Sequence, residues 1–198
     1  MTLPDLFLHW LNEILQIVPR LFIVVVAAFI AIRFEWLRLA LRGKQISRRN
    51  VLPAILVFAL LAVIGTHSGI PIDIHLGLRE IDLNAAGPAH LRDSQAIVGF
   101  RDTMILSAGL IGGPWVGLGA GLIAGAERYY LGGFAALASG VATVLLGIFT
   151  GAVRHYKPEW IASEQGILSV AVIGTLIHRL LILVLVSPFE DAWTLSWK

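Results

Sequence analysis

The chain has 198 residues, of which 57% are hydrophobic and 14% charged, with a formal net charge of +2 and a mean hydropathy of +0.81. A water-soluble domain of this size cannot carry that composition and still present a polar surface, so this is an integral membrane protein; the small net charge gives no reason to expect nucleic acid as a partner. There is no cysteine, which excludes disulfides and thiolate metal sites.

Residues 1–18 are predicted to form an amphipathic helix lying in the membrane interface. In LPDLFLHWLNEILQIV the apolar residues recur at helical spacing, with Asp5, Asn12, Glu13 and Gln16 between them. No basic region followed by a small-residue cleavage site marks a signal peptide, so the segment is read as retained. Residues 19–198 form the transmembrane unit. A hydrocarbon core roughly 30 Å thick needs about 20 helical residues. The clear apolar runs are 21–41, 51–66, 133–153 and 168–187. Residues 94–131 are too long for one span and are interrupted by Gly112-Gly113-Pro114. Proline suits the first position of a helix and not its interior, so one helix is expected to end near Gly112 and another to begin at Pro114. The prediction is an all-α, polytopic membrane bundle of five to six transmembrane helices, six by this count, two of them short.

Charge sets the orientation. Arg33, Arg38, Arg42, Lys44, Arg48 and Arg49 crowd the first connection, which places it in the cytoplasm and the N-terminus outside. Residues 67–93 are then an outer loop, read either as a solvated linker or as a lid. If 94–131 crosses down and back, the basic stretch RHYKP at 154–158 also falls inside. That path puts Trp36, Trp115 and Trp160 near the inner interface, and Trp10, Tyr129, Tyr130 and Trp193 near the outer one. Gly109, Gly113, Gly117, Gly121 and Gly125 recur every four residues, and Gly147 with Gly151 repeats the step. In lipid, small residues let helix backbones approach closely, so this is a glycine-zipper packing seam.

Cations at membrane depth carry more functional information, because each is costly unless it is paired or faces a wet cavity. Arg101 and Arg128 fall near the outer end of their two helices and converge on one outward pocket in this topology. Arg179 lies in the last run beside His178. The competing structural role is internal pairing with Asp102, Glu127 or Glu190, or snorkelling to the interface. Glu127 is no natural partner for Arg128, because neighbouring helical residues point apart. Two guanidiniums together would suit a small carboxylate, each presenting a planar fork of donors to its two oxygens. His67, His75 and His90 lack metal-ligand spacing.

The stretch FRDTMILSAGLIGGPWVGLGAGLIAGAERYYLGGFAALAS, residues 100–139, closely resembles the membrane-embedded input domain of LytS-type sensor histidine kinases, the five-transmembrane LYT receptor family. The shared pattern is an arginine, GGP followed by G-x-x-x-G repeats, R-Y-x-x-GG, and a short run ending in Cys or Ser. GTHSG at 65–69 and SPFEDA at 187–192 extend the likeness. The resemblance implies a receptor and not an enzyme. Such a receptor senses an extracellular small molecule, pyruvate in characterised members, and signals to a cytoplasmic kinase or other output domain. The family's binding arginines match Arg101 and Arg128, and its Cys or Ser matches Ser139. A further family serine falls at Ala142, with Thr143 beside it. The sequence departs from the family at Glu127, where His is common, at Thr175, where a glutamate is typical, and at His178 and Arg179, which replace uncharged residues. Arg179 is thereby expected to add a third cation to the pocket.

Candidate ligand-binding residues are thus Arg101, Arg128, Ser139, Thr143 and Arg179. The expected partners are a small carboxylate, the lipid bilayer, a cytoplasmic output domain and a second copy of the chain; no cofactor or metal is expected. No kinase core lies within the 198 residues, so the sequence is read as a receptor segment of a longer protein or as a stand-alone module. An alternative is the substrate-binding membrane component of a transporter resembling energy-coupling-factor systems. A membrane enzyme is disfavoured, because no nucleophile with a base and no paired carboxylates at membrane depth can be assembled.

Overall fold

The computed structural model describes residues 18, 22–29, 32–73 and 90–197. The predicted interfacial helix, apart from Val18, and residues 74–89 of the outer loop with His75 lie outside the described residues. The run at 21–41 is not one continuous helix. Residues 22–29 are helical, the chain turns at Ile32 and Arg33, and α1 (Glu35–Leu41) follows. Arg33 folds its guanidinium over the Phe29 ring, 4.9 Å from its centroid, a cation–π contact across this turn.

The helices that follow are α2 (Arg48–His67), α3 (Arg101–Gly112), α4 (Pro114–Tyr130), α5 (Ala136–Tyr156), the single turn α6 (Pro158–Ile161), α7 (Glu164–Leu185) and α8 (Phe189–Trp197). Of these, α2, α5 and α7 are long and apolar enough to cross a membrane. The break expected at GGP is present. α3 stops at Gly112, Gly113 takes φ +83°, and Pro114 opens α4. That φ is one an L side chain rarely adopts, and proline at the first helical position forfeits no intrahelical bond. With 12 residues, α3 is about 18 Å long and reaches only part way across a bilayer.

One element was not anticipated. β1 (Ile70–Asp73), within the predicted outer loop, pairs antiparallel with β2 (Gln95–Val98), which opens the 94–131 stretch expected to be membrane helix, in the register Ile70↔Val98 to Asp73↔Gln95. Ser94 Oγ donates to Asp73 Oδ2 at 2.9 Å and ties the ribbon at its loop end. At its far side Leu91 N donates to Leu131 O at 2.7 Å, so this segment docks on the turn between α4 and α5.

The packing is inside-out relative to a soluble protein. Half of the shared core is alanine, Ala54, Ala59 and Ala62 of α2, Ala108 of α3, and Ala120 and Ala124 of α4, packed with Leu37, Phe58, Met104, Ile105, Val116 and Leu146. Leu52, Leu56 and Leu60 of α2 and Leu168, Val172, Leu176, Leu180 and Val184 of α7 face outward. Lipid is as apolar as leucine, so large side chains gain nothing by turning inward, and small ones decide which faces meet. The glycine seam does this between antiparallel α4 and α5. A Cβ on Gly117 would collide with Gly147 O, one on Gly121 would lie 3.1 Å from Thr143 O, and one on Gly125 would lie 2.7 Å from Gly140 O. Gly117→Ala is therefore expected to cost about 1–3 kcal/mol through overpacking, and Gly121→Ala distinctly less. Thermal unfolding in detergent would check the order; equal midpoints would show that the seam tolerates a methyl.

At the opposite end from the ribbon, Arg154 donates to Leu110 O (2.6 Å), Lys44 O (3.1 Å) and Ala40 O (3.4 Å). One guanidinium thereby satisfies carbonyls near the C-terminal ends of α1 and α3, where a cation is favoured. Arg38, Arg42, Arg48, Arg49 and Lys157 belong to the same end. These six basic residues thus gather at one end of the bundle and the ribbon sits at the other.

Candidate ligand site

Arg101 is the first residue of α3 and Arg128 the last basic residue of α4. The two helices run in opposite senses around GGP, so both arginines arrive at the ribbon end. Arg101 is 6% exposed and Arg128 is fully buried. Beside them lies a cavity of about 250 Å³. β2 and Gly99 form one wall, Arg101 and Asp102 a second, Ser139 of α5 a third, and Thr175, His178, Arg179 and Ile182 of α7 a fourth. Residues 175, 178, 179 and 182 are three and four apart and so share one helix face.

Within this site the charges are ordered. Arg101 Nε donates to Asp102 Oδ1 at 3.0 Å, and Asp102 Oδ2 meets His178 Nδ1 in a close ion-pair contact. This chain of three binds α3 to α7. Arg128 uses only part of its guanidinium: Nη1 donates to Gly132 O at 2.7 Å, while Nε and Nη2, both buried, find no hydrogen-bond partner among the described residues. Nε and Nη2 are the two parallel donors of the side edge that matches both oxygens of a carboxylate. Arg128 lies within electrostatic reach of Arg101, Asp102 and Glu127. Glu127 turns away from its neighbour, and its Oε1 lies 2.9 Å from His67 Nε2 as a charge contact without hydrogen-bond alignment.

The structure brings Arg101, Ser139 and Arg179 together on the cavity wall. Arg128 is close behind but not on the wall, because the last turn of α4 folds its guanidinium onto the Gly132 carbonyl. Thr143 is not brought to the cavity. It is fully buried one turn deeper, its Oγ1 donates to Ser139 O at 2.8 Å, and its backbone faces Gly121 across the glycine seam. The sequence reading missed Asp102 and His178 as site residues. Their signal was two polar doublets, Arg101-Asp102 and His178-Arg179, each within an otherwise apolar helix. It also missed β2 as a wall. Among the described residues, no three His, Asp or Glu side chains are grouped to hold a metal.

Residues 34–196 match the family described as 5TMR of 5TMR-LYT. The chain is similar to Sensor protein LytS of Oceanobacillus iheyensis, 29% identical over 84% of this chain and 28% of that protein. It is also similar to Sensor protein LytS of Bacillus subtilis, 29% identical over 93% of this chain and 30% of that protein. A third relative is Sensor histidine kinase YpdA of Escherichia coli, 27% identical over 86% of this chain and 27% of that protein. The chain therefore spans under a third of the length of these relatives. No solved structure matches it.

Proposed function

Because the chain belongs to the 5TMR-LYT family of membrane receptor domains, we propose that it is the ligand-sensing module of a multi-pass membrane receptor, binding a small, pyruvate-like carboxylate from the outer side. One observation carries this reading above the others. The Nε–Nη2 edge of Arg128 is buried and without a hydrogen-bond partner within the described residues, and it lies within electrostatic reach of Arg101, which lines the cavity. Buried guanidinium donors left without partners are costly, and a carboxylate satisfies two of them at once. The outward orientation follows from the basic residues at the Arg154 end, which belongs in the cytoplasm.

A route for the signal follows from the packing. Few residues of α7 are buried, Val170, Gly174 and Ile182, yet it supplies one whole wall of the cavity and runs from there to the cytoplasmic end. A ligand drawing α3, α5 and β2 toward α7 would favour one setting of this loosely held helix over another, which is what transmission requires. The receiver is proposed to be a cytoplasmic output domain, as the names of the relatives suggest.

The reading is tested by titrating the purified chain with pyruvate and other small carboxylates, with Arg101→Ala in parallel. Binding by the wild type, weakened in the variant, is the expected result. A wild type that binds none of them overturns the proposal.

A further inference from the structure

The cavity has a second cationic pole. Arg179 lines it from α7 and is exposed, and among the described residues no carboxylate lies within ion-pair distance of its guanidinium. His178 stands next to it, with Nδ1 committed to Asp102 and Nε2 buried without a hydrogen-bond partner among the described residues. Thr175, one turn back on the same face, completes the group. Among the described residues Asp102 is the only acid on the wall, and its ion-pair contacts are with Arg101 and His178, not with Arg179. A single carboxylate held by Arg101 and the free edge of Arg128 would leave Arg179 without a counter-charge on the cavity wall at membrane depth, where an unpaired charge is costly.

Resting on the carboxylate reading above, we propose that α7 supplies a second anion-binding pole at Arg179 and His178, and that the ligand is a short dicarboxylate bridging it to the two-arginine pole. One carboxylate takes the guanidinium edges of Arg101 and Arg128, and the other meets Arg179, with His178 Nε2 as a further donor when the ring carries both protons. The cavity, about 250 Å³, is below the range of drug-sized sites and suits an acid of a few carbons. The two poles stand on different helices, α3 and α4 against α7, so a dianion would join them in a way that a monocarboxylate would not.

Succinate and butyrate have the same carbon count and differ in the second carboxylate, which makes them the probes. The purified full chain in nanodiscs is expected to bind succinate about tenfold or more tighter than butyrate, as a charge-assisted contact implies. Arg179→Gln is expected to bring the two acids to near parity by weakening succinate far more than butyrate, and Arg179→Lys to retain most of the preference. Residual butyrate binding also shows that the variant is folded. A wild type that binds butyrate as tightly as succinate, or a preference that survives Arg179→Gln, overturns the second pole and leaves the carboxylate reading standing. A wild type that binds neither these acids nor pyruvate overturns both.

Discussion

Arg128→Met is expected to weaken carboxylate binding on the order of 100-fold while leaving thermal stability without ligand equal to or above that of the wild type. The two effects have one cause. Arg128 is fully buried, one of its nitrogens is satisfied by Gly132 O, and its Nε and Nη2 have no partner among the described residues. Without ligand, that edge is a desolvated charge near a second cation, Arg101. Replacing such a group with an apolar side chain of similar length often costs nothing or stabilises. With ligand, the same edge makes two charge-assisted hydrogen bonds. Truncating one partner of such a buried pair costs about 2–5 kcal/mol, so affinity falls on the order of 100-fold. Arg128→Lys separates charge from shape: it keeps a cation and a donor for Gly132 O but loses the fork, and a fall of about tenfold is expected. The measurement is a ligand-dependent shift of the unfolding midpoint, because stabilisation by a ligand grows with its concentration over Kd. A methionine variant that still shows the shift removes Arg128 from the site. One that unfolds many degrees lower makes its role structural.

The parts of this arrangement legible in sequence were those set by one-residue chemistry. Proline after two glycines favours opening a new helix over continuing the old one, so the α3–α4 break was readable. The four-residue glycine step predicted a close seam, though not its partner: Gly117 meets Gly147 and Gly125 meets Gly140, a pairing that exists only once α4 and α5 run antiparallel. Arg101, Ser139 and Arg179 line one cavity, whereas Thr143 lies away from it, its hydroxyl one turn deeper in α5 closing on its own helix. Nothing local could join Asp102 to His178 across 76 positions, or pair Ile70 with Val98. The ribbon's strands are four residues each, too short for alternation to stand out in an apolar chain, and Pro71 argued against the first of them.

Gly133→Ala is expected to weaken carboxylate binding although no ligand would touch it. Gly132 and Gly133 have φ of +83° and +82°, so an L side chain at either position is strained by roughly 1 kcal/mol or more. Gly133 carries a further constraint: its Cβ would run into the carbonyl oxygen of Gln95, the first residue of β2, and sit 3.2 Å from Leu91 Cβ. At Gly132 the nearest atom to an added Cβ is Leu91 O at 3.3 Å, a contact relieved by a shift of a few tenths of an ångström. β2 continues into Ala96–Gly99, the wall of the cavity, and Gly132 O is the acceptor that holds Arg128. The missing side chain at Gly133 therefore lets the wall close against the turn that aims the arginine. Gly133→Ala is expected to lower the unfolding midpoint by several degrees, as an overpacking cost of about 1–3 kcal/mol implies, and to reduce affinity about tenfold by misplacing donors. Gly132→Ala should do less of both. Unfolding and ligand titration on the same preparations decide the matter. If Gly133→Ala loses stability but keeps its affinity, the turn and ribbon only close the end of the bundle, and α3, α5 and α7 alone shape the site.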